Sequence, residues 1–129
     1  MNQPVPKPLR LPTEQEVDYA QEAVSFTFHP DYRKYLLEAS DVVFGRFEPA
    51  TVLSDREYRN LPDMAIEAWE KVGLPRDLLP ICEDNADYYC MKSDGGVIFW
   101  SHDGLIDSEN WPDLATWIKK VWIEESQAI

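Results

Sequence analysis

Asp87-Tyr88-Tyr89-Cys90-Met91-Lys92-Ser93-Asp94-Gly95-Gly96-Val97-Ile98-Phe99-Trp100-Ser101-His102 holds two runs rich in aromatic and β-branched residues around a short polar link. Such runs fit a pleated, half-buried surface, and a Gly-containing link supplies the positive φ that a tight turn requires. The pattern predicts strands over Asp87 to Lys92 and Val97 to His102, joined as a hairpin by Ser93 to Gly96. The register is open. A two-residue Asp94-Gly95 loop pairs Tyr89 with Trp100 and Asp87 with His102, whereas a three-residue loop shifts the pairing and sets Tyr88 opposite His102.

Working outward, Leu79 to Glu83 reads as a third strand of the same character. Before it, Leu61, Met64, Ala65, Ala68 and Val72 recur at helical spacing, with Pro62 suited to the first turn, Gly73 to the stop, and Pro75 blocking continuation. After the hairpin, Leu114, Trp117, Ile118, Val121 and Trp122 fall at i, i+3, i+4, i+7 and i+8, a helix for which Asp113 is a suitable cap. Toward the N-terminus, Pro30 opens a helix carrying Tyr32, Tyr35, Leu36 and Ala39 on one face. Thr13-Glu14-Gln15-Glu16 fits a capping box before a helix to about Ser25, with Val17, Ala20 and Val24 inward. Val42 to Gly45 and Phe47 to Leu53 look β-like, with Pro49 suggesting an edge or bulge. The order implies an α+β fold: a mainly antiparallel sheet with packed helices. Residues 1–12, with Pro4, Pro6, Pro8 and Pro12, read as an extended arm, and 13–129 as a single domain.

Composition narrows the function. The chain has 129 residues, 44% hydrophobic and 12% aromatic, enough for one core without staples. No apolar run is long enough to span a bilayer, prolines stand where a signal peptide needs apolar residues, and Cys82 and Cys90 make no disulfide framework. A cytoplasmic protein with buried free thiols is expected. The net charge of −12 opposes direct nucleic-acid binding, which needs cations to displace phosphate counterions. Residues 77–129 carry 11 acids against 3 bases. Within 83–113 the acids Glu83, Asp84, Asp87, Asp94, Asp103, Asp107, Glu109 and Asp113 face Lys92 alone, a field that would steer a basic partner.

Catalytic signatures are missing. The five glycines form neither a phosphate-cradling loop nor a nucleophile elbow, and no His or Cys spacing suggests zinc. Cys90 with His102 lacks an acidic orienter fixed by spacing, so a buried thiol beside an ordinary histidine is the simpler account. Asp84, Asp87, His102, Asp103 and Asp107 lie near strand ends. They could coordinate a divalent cation, as in a small metal-dependent hydrolase, but lack the glycine-punctuated spacing of a calcium loop. They could equally be solvated turn residues or an acidic recognition surface. Trp117, Trp122 and Trp69 belong to apolar helix faces. Trp100 and Trp111 border the acidic segment, where aromatic residues serve either the core or an interface. No cofactor or metal is expected, and the expected partner-binding set is Asp84, Asp87, Trp100, His102, Asp103, Asp107 and Trp111.

Four segments in order resemble the SUKH superfamily, which includes bacterial toxin-immunity proteins and fungal regulators of cell-wall assembly. Phe28-His29-Pro30-Asp31-Tyr32-Arg33-Lys34-Tyr35-Leu36-Leu37 is similar to its P-x-x-Y-x-x-F-L helix. Gly73-Leu74-Pro75-Arg76-Asp77-Leu78-Leu79-Pro80-Ile81 is similar to its G-x-P-x-x-L-x-P-F stretch. Asp87-Tyr88-Tyr89-Cys90-Met91 leading to Val97-Ile98-Phe99-Trp100-Ser101-His102-Asp103 resembles its D-Y hairpin ending in W-x-H-D, and Asp113 to Ile118 resembles its closing helix. Glu83-Asp84-Asn85-Ala86 and Ala39-Ser40-Asp41 depart from the glycine-bearing loops common there. The resemblance implies an α+β fold without catalytic apparatus, and a role in binding a protein partner. In the immunity branch that partner is a toxin domain, often a basic nuclease; a regulatory scaffold binding several cellular proteins is the other implied role.

Overall fold

The computed structural model describes residues 10–42, 47–54, 60–84, 86–101 and 104–125, with the backbone alone at 104–108 and 125. Helix α1 spans Glu14–Val24 and α2 spans Pro30–Ala39. Helix α3 spans Leu61–Glu67 and widens into a π-helical turn, Ala68–Val72. Strands β1 (Leu79–Asp84), β2 (Asp87–Met91), β3 (Val97–Ser101) and β4 (Gly104–Trp111) follow. Helix α4 (Leu114–Trp117) continues as π-helix over Ile118–Glu125. The sheet is an antiparallel meander in the order β1-β2-β3-β4. The fold is α+β.

Each helix begins where its local chemistry allows. Thr13 Oγ accepts from the Glu16 N–H while the Glu16 carboxylate accepts from the Thr13 N–H, closing the capping box. His29 Nδ1 accepts from the Asp31 N–H ahead of α2, and Asn60 and Asp113 cap α3 and α4 through the Asp63 and Thr116 N–H groups. Gly73 ends α3 at φ +91°, a conformation that costs a residue without Cβ little.

The helices close over the sheet through a run of rings. Tyr89 of β2 lies 5.8 Å from Phe47, 4.8 Å from Phe99, 5.7 Å from Trp111 and 5.4 Å from Trp117, centroid to centroid. Trp117 continues to Trp122, Trp122 to Tyr35, Tyr35 to Tyr32, and Tyr32 to Phe28, so α2 and α4 share one aromatic seam. Trp117, Trp122 and Trp69 are buried, as their helical spacing predicts. Trp69 donates its indole N–H to the Leu78 carbonyl, and the Arg76 guanidinium sits over its ring.

Three expectations change. Phe47 to Leu53 is not a strand. Among its contacts are Ala50 N–H to the Ile81 carbonyl, Leu61 N–H to the Thr51 carbonyl and an isolated bridge between Thr51 and Asn60, while Phe47, Ala50, Val52 and Leu53 plug the core. Pro49 has no N–H to continue a ladder, so burial of the side chains sets the conformation there. Residues 43–46 of the other β-like stretch lie outside the described residues. The acidic segment after His102 contains a fourth strand, β4, where the sequence pattern predicts none. The hairpin register matches neither alternative: Tyr88 pairs with Trp100 and Tyr89 with Phe99. Lys92 N–H donates to the Gly96 carbonyl and Gly95 N–H to the Lys92 carbonyl, which makes Ser93-Asp94-Gly95 the loop. Gly95 holds φ +92° and Asp94 Oδ1 accepts from the Gly96 N–H, so a turn followed by a left-handed glycine fixes the shift.

Candidate functional site

The register determines which acids meet. Asp84 and Asp87 are partners at the end of β1–β2, across a turn in which Ala86 takes φ +71°. Asp87 precedes Tyr88, which pairs with Trp100, and Ser101 after Trp100 pairs with Gly104. The β1–β2 turn and the Ser101–Gly104 pair therefore lie at one end of the sheet. Strand β4 then bulges: between the Trp100–Leu105 and Ile98–Asn110 pairs, β3 advances two residues and β4 five. Asp107 falls within that bulge, which bends the strand away from regular pairing. His102 and Asp103 lie outside the described residues.

Around Tyr88 the carboxylates concentrate further. Glu83 is its cross-strand partner on β1. Burial raises the Tyr88 phenol above its ordinary range, and the negative charges of Glu83, Glu67 and Asp87 push it further in the same direction. Tyr88 thus stays a neutral phenol in a negative field. Glu67, on α3, was invisible as a member of this group, since no spacing links it to a strand twenty positions later. Glu83 stood in the acidic segment, and its pairing with Tyr88 needed the register.

The two tryptophans do not join the acids at the sheet end in the same way. Trp100 sits beside Tyr88 and is 9% exposed. Trp111 pairs with Val97 at the opposite end of β3, half-buried against Tyr89. Cys90 is fully buried, and burial alone holds its thiol far above the usual cysteine range, so it is inert as a nucleophile at neutral pH. Among the described residues no three His, Cys, Asp or Glu side chains are gathered as metal ligands, and no helix is long and apolar enough to cross a membrane.

A four-stranded antiparallel meander backed by helices makes this an α+β protein. The SUKH_5 family model, described as SMI1-KNR4 cell-wall, matches residues 1–123, and the chain belongs to that family. A crystal structure of a protein from Pseudomonas syringae pv. tomato is similar over 95% of this chain and 91% of its own, at 39% sequence identity and a TM-score of 0.85. No match was found among curated proteins.

Proposed function

We propose that this chain is an immunity-type inhibitor that binds a basic toxin domain through the acidic end of its sheet and catalyses nothing itself. Membership of the SUKH superfamily fits a protein-binding role. The observation that carries the finer reading is the meeting of Glu83, Asp84 and Asp87 on adjoining strand positions, with Glu67 acting on the same Tyr88, in a chain of net charge −12. A surface of this sign speeds the approach of a cationic partner and disfavours nucleic acid. Nuclease domains hold phosphates with basic residues, so a carboxylate surface can occupy the same ground as a polyanion mimic. The proposed contact set is Asp84, Asp87, His102, Asp103 and Asp107, with Trp100 as the flanking aromatic; Trp111, at the other end of β3, falls outside it, and the setting is the cytoplasm.

The test is affinity capture from source-cell lysate at low and high salt, using the natural chain and a variant with Asp84, Asp87, Asp103 and Asp107 all changed to Lys. One dominant partner with a basic domain, held more tightly at low salt and lost by the variant while its circular dichroism is unchanged, is the expected result. Undiminished capture by the variant overturns the placement of the surface. Several sub-stoichiometric partners would instead indicate a regulatory scaffold.

A further inference from the structure

His29 bridges two elements. Its Nδ1 accepts the Asp31 N–H at 3.1 Å at the start of α2, while the far edge of its ring lies against the β2–β3 loop. A Cβ built at Gly95 would stand 2.8 Å from Nε2 and 2.9 Å from Cε1, so nothing larger than a glycine hydrogen fits between ring and loop. Both neighbours are tightly bonded. The loop is closed by the Lys92 N–H on the Gly96 carbonyl and the Gly95 N–H on the Lys92 carbonyl, and the Tyr32 and Arg33 N–H groups of α2 donate to the His29 carbonyl. Close packing of this kind passes a displacement of the ring to both sides.

An imidazole nitrogen that accepts a hydrogen bond carries no proton, so this arrangement belongs to the neutral ring with its proton on Nε2. Histidine is the side chain that ordinarily changes charge between about pH 5 and 8, and this one is 26% exposed, open to solvent protons. Among the described residues the charged groups facing the ring come from both elements. Asp31 of α2 has Oδ2 3.7 Å from Nδ1, and Asp94 of the loop, in the field of the ring, lies 3.6 Å from the Lys92 ammonium. The Gly96 N–H first, then the Lys92 and His29 charges, hold the Asp94 carboxyl below its ordinary range, so it is still ionised when a histidine protonates. Protonation removes the Nδ1 lone pair, and with it the cap, and sets a cation against the positive end of α2. The Asp31 and Asp94 carboxylates attract the same cation. These effects oppose each other, so protonation changes what the ring is bonded to more than it changes stability.

We infer that His29 is a proton-operated latch between α2 and the β2–β3 loop. Neutral, it caps α2 and packs on Gly95; protonated, it gives up the cap, turns Nδ1–H to the Asp31 carboxylate, and shifts the loop that rests against it. The latch stands at the opposite end of β2 from Asp87, and it requires nothing of the partner proposed for that end.

The test is a titration of the full chain from about pH 8 to about pH 5, followed by the resonances of the backbone amides and the histidine ring nitrogens. At the high end the His29 ring should show a bare Nδ1 and a protonated Nε2. As pH falls, the amides of Asp31, Gly95 and Gly96 should move with the same midpoint as the ring. Exchange of the Asp31 amide, corrected for its intrinsic pH dependence, should quicken about fivefold. His29→Asn keeps an acceptor for the cap but cannot be charged, and should leave the three amides still over the same range. His102→Gln leaves one histidine signal to follow and needs no substitution at the junction. A proton on Nδ1 at the high end overturns the proposal. So does an Asp31 amide that moves while Gly95 and Gly96 stay fixed, since the cap then changes without the loop. Amides that titrate equally in His29→Asn assign the response to carboxylates and also overturn it. The natural chain and His102→Gln decide the matter even where His29→Asn does not fold: midpoints of the three amides that depart from that of the ring sink the latch.

Discussion

Donors from three parts of the chain converge on the Glu16 carboxylate: Arg10 before α1, the Thr13 backbone at its cap, and Ser54, 38 residues away. The Arg10 contact is the largest influence holding its carboxyl well below the usual carboxylate range, and the Ser54 and Thr13 hydrogen bonds act in the same direction against desolvation. A depressed folded-state value means the stabilisation is fully present above the unfolded-state pKa, about 4.3 for glutamate, and is lost as pH falls toward the folded value. Glu16→Gln removes the charge and turns an amide N–H₂ toward donors. It should lower unfolding free energy by about 2 kcal/mol at pH 7, measured by urea denaturation. The gap between natural and variant chains should stay constant down to about pH 5 and narrow below it. A gap that persists unchanged at pH 3 would show that packing, not the ionised carboxylate, is what the substitution removes. The Thr13–Glu16 half of this arrangement was legible because a capping box is local. Ser54 was not, because nothing in its neighbourhood signals a long-range partner.

At the scale of elements, local turn chemistry predicted that a hairpin exists without fixing its pairing. The two glycines at positive φ separate strain from contact. A Cβ at Gly73, φ +91°, meets open space, whereas one at Gly95, φ +92°, would stand 2.8 Å from the His29 Nε2. Gly73→Ala should therefore cost only the backbone term, about 1 kcal/mol, and Gly95→Ala distinctly more, because the His29 ring must move while it caps α2. In a double-mutant cycle, Gly95→Ala should cost less in a His29→Ala background than alone. Equal costs for the two glycine substitutions, or additivity in the cycle, would remove His29 as the element that fixes the hairpin against α2. The four helices were legible from periodicity and caps. Strand β4 was not: Asp107-Ser108-Glu109-Asn110 has poor strand propensity and its bulge breaks the alternation, so pairing with β3 overrides what the residues prefer locally.

For the whole molecule, charge and stability pull against each other. With 24 acidic and 12 basic side chains the folded chain repels itself, and the ion pairs Arg33–Asp18 and Arg76–Glu70 are exposed and worth less than about 1 kcal/mol each. Such a balance keeps a protein soluble, but it concentrates like charge where Asp84 faces Asp87 across β1–β2. Sodium chloride should then stabilise this protein. Raising it from about 10 mM to about 200 mM shortens the screening length from roughly 30 Å to below 10 Å, and the thermal midpoint should climb by a few degrees. The same salt should weaken capture of a basic partner, so affinity and stability move in opposite directions on one axis. Lowering pH relieves the repulsion as carboxylates take up protons toward the pI near 4.4, yet below about pH 5 it begins to remove the Glu16 contribution. Stability at low salt should accordingly peak between pH 5 and 6, and Glu16→Gln should move that peak to lower pH, because only the repulsive term then remains to be titrated. A midpoint that falls with added chloride, or a peak unmoved by Glu16→Gln, would mean that attractive pairs outweigh the net charge, and that the acidic surface is held for the fold before it serves any partner.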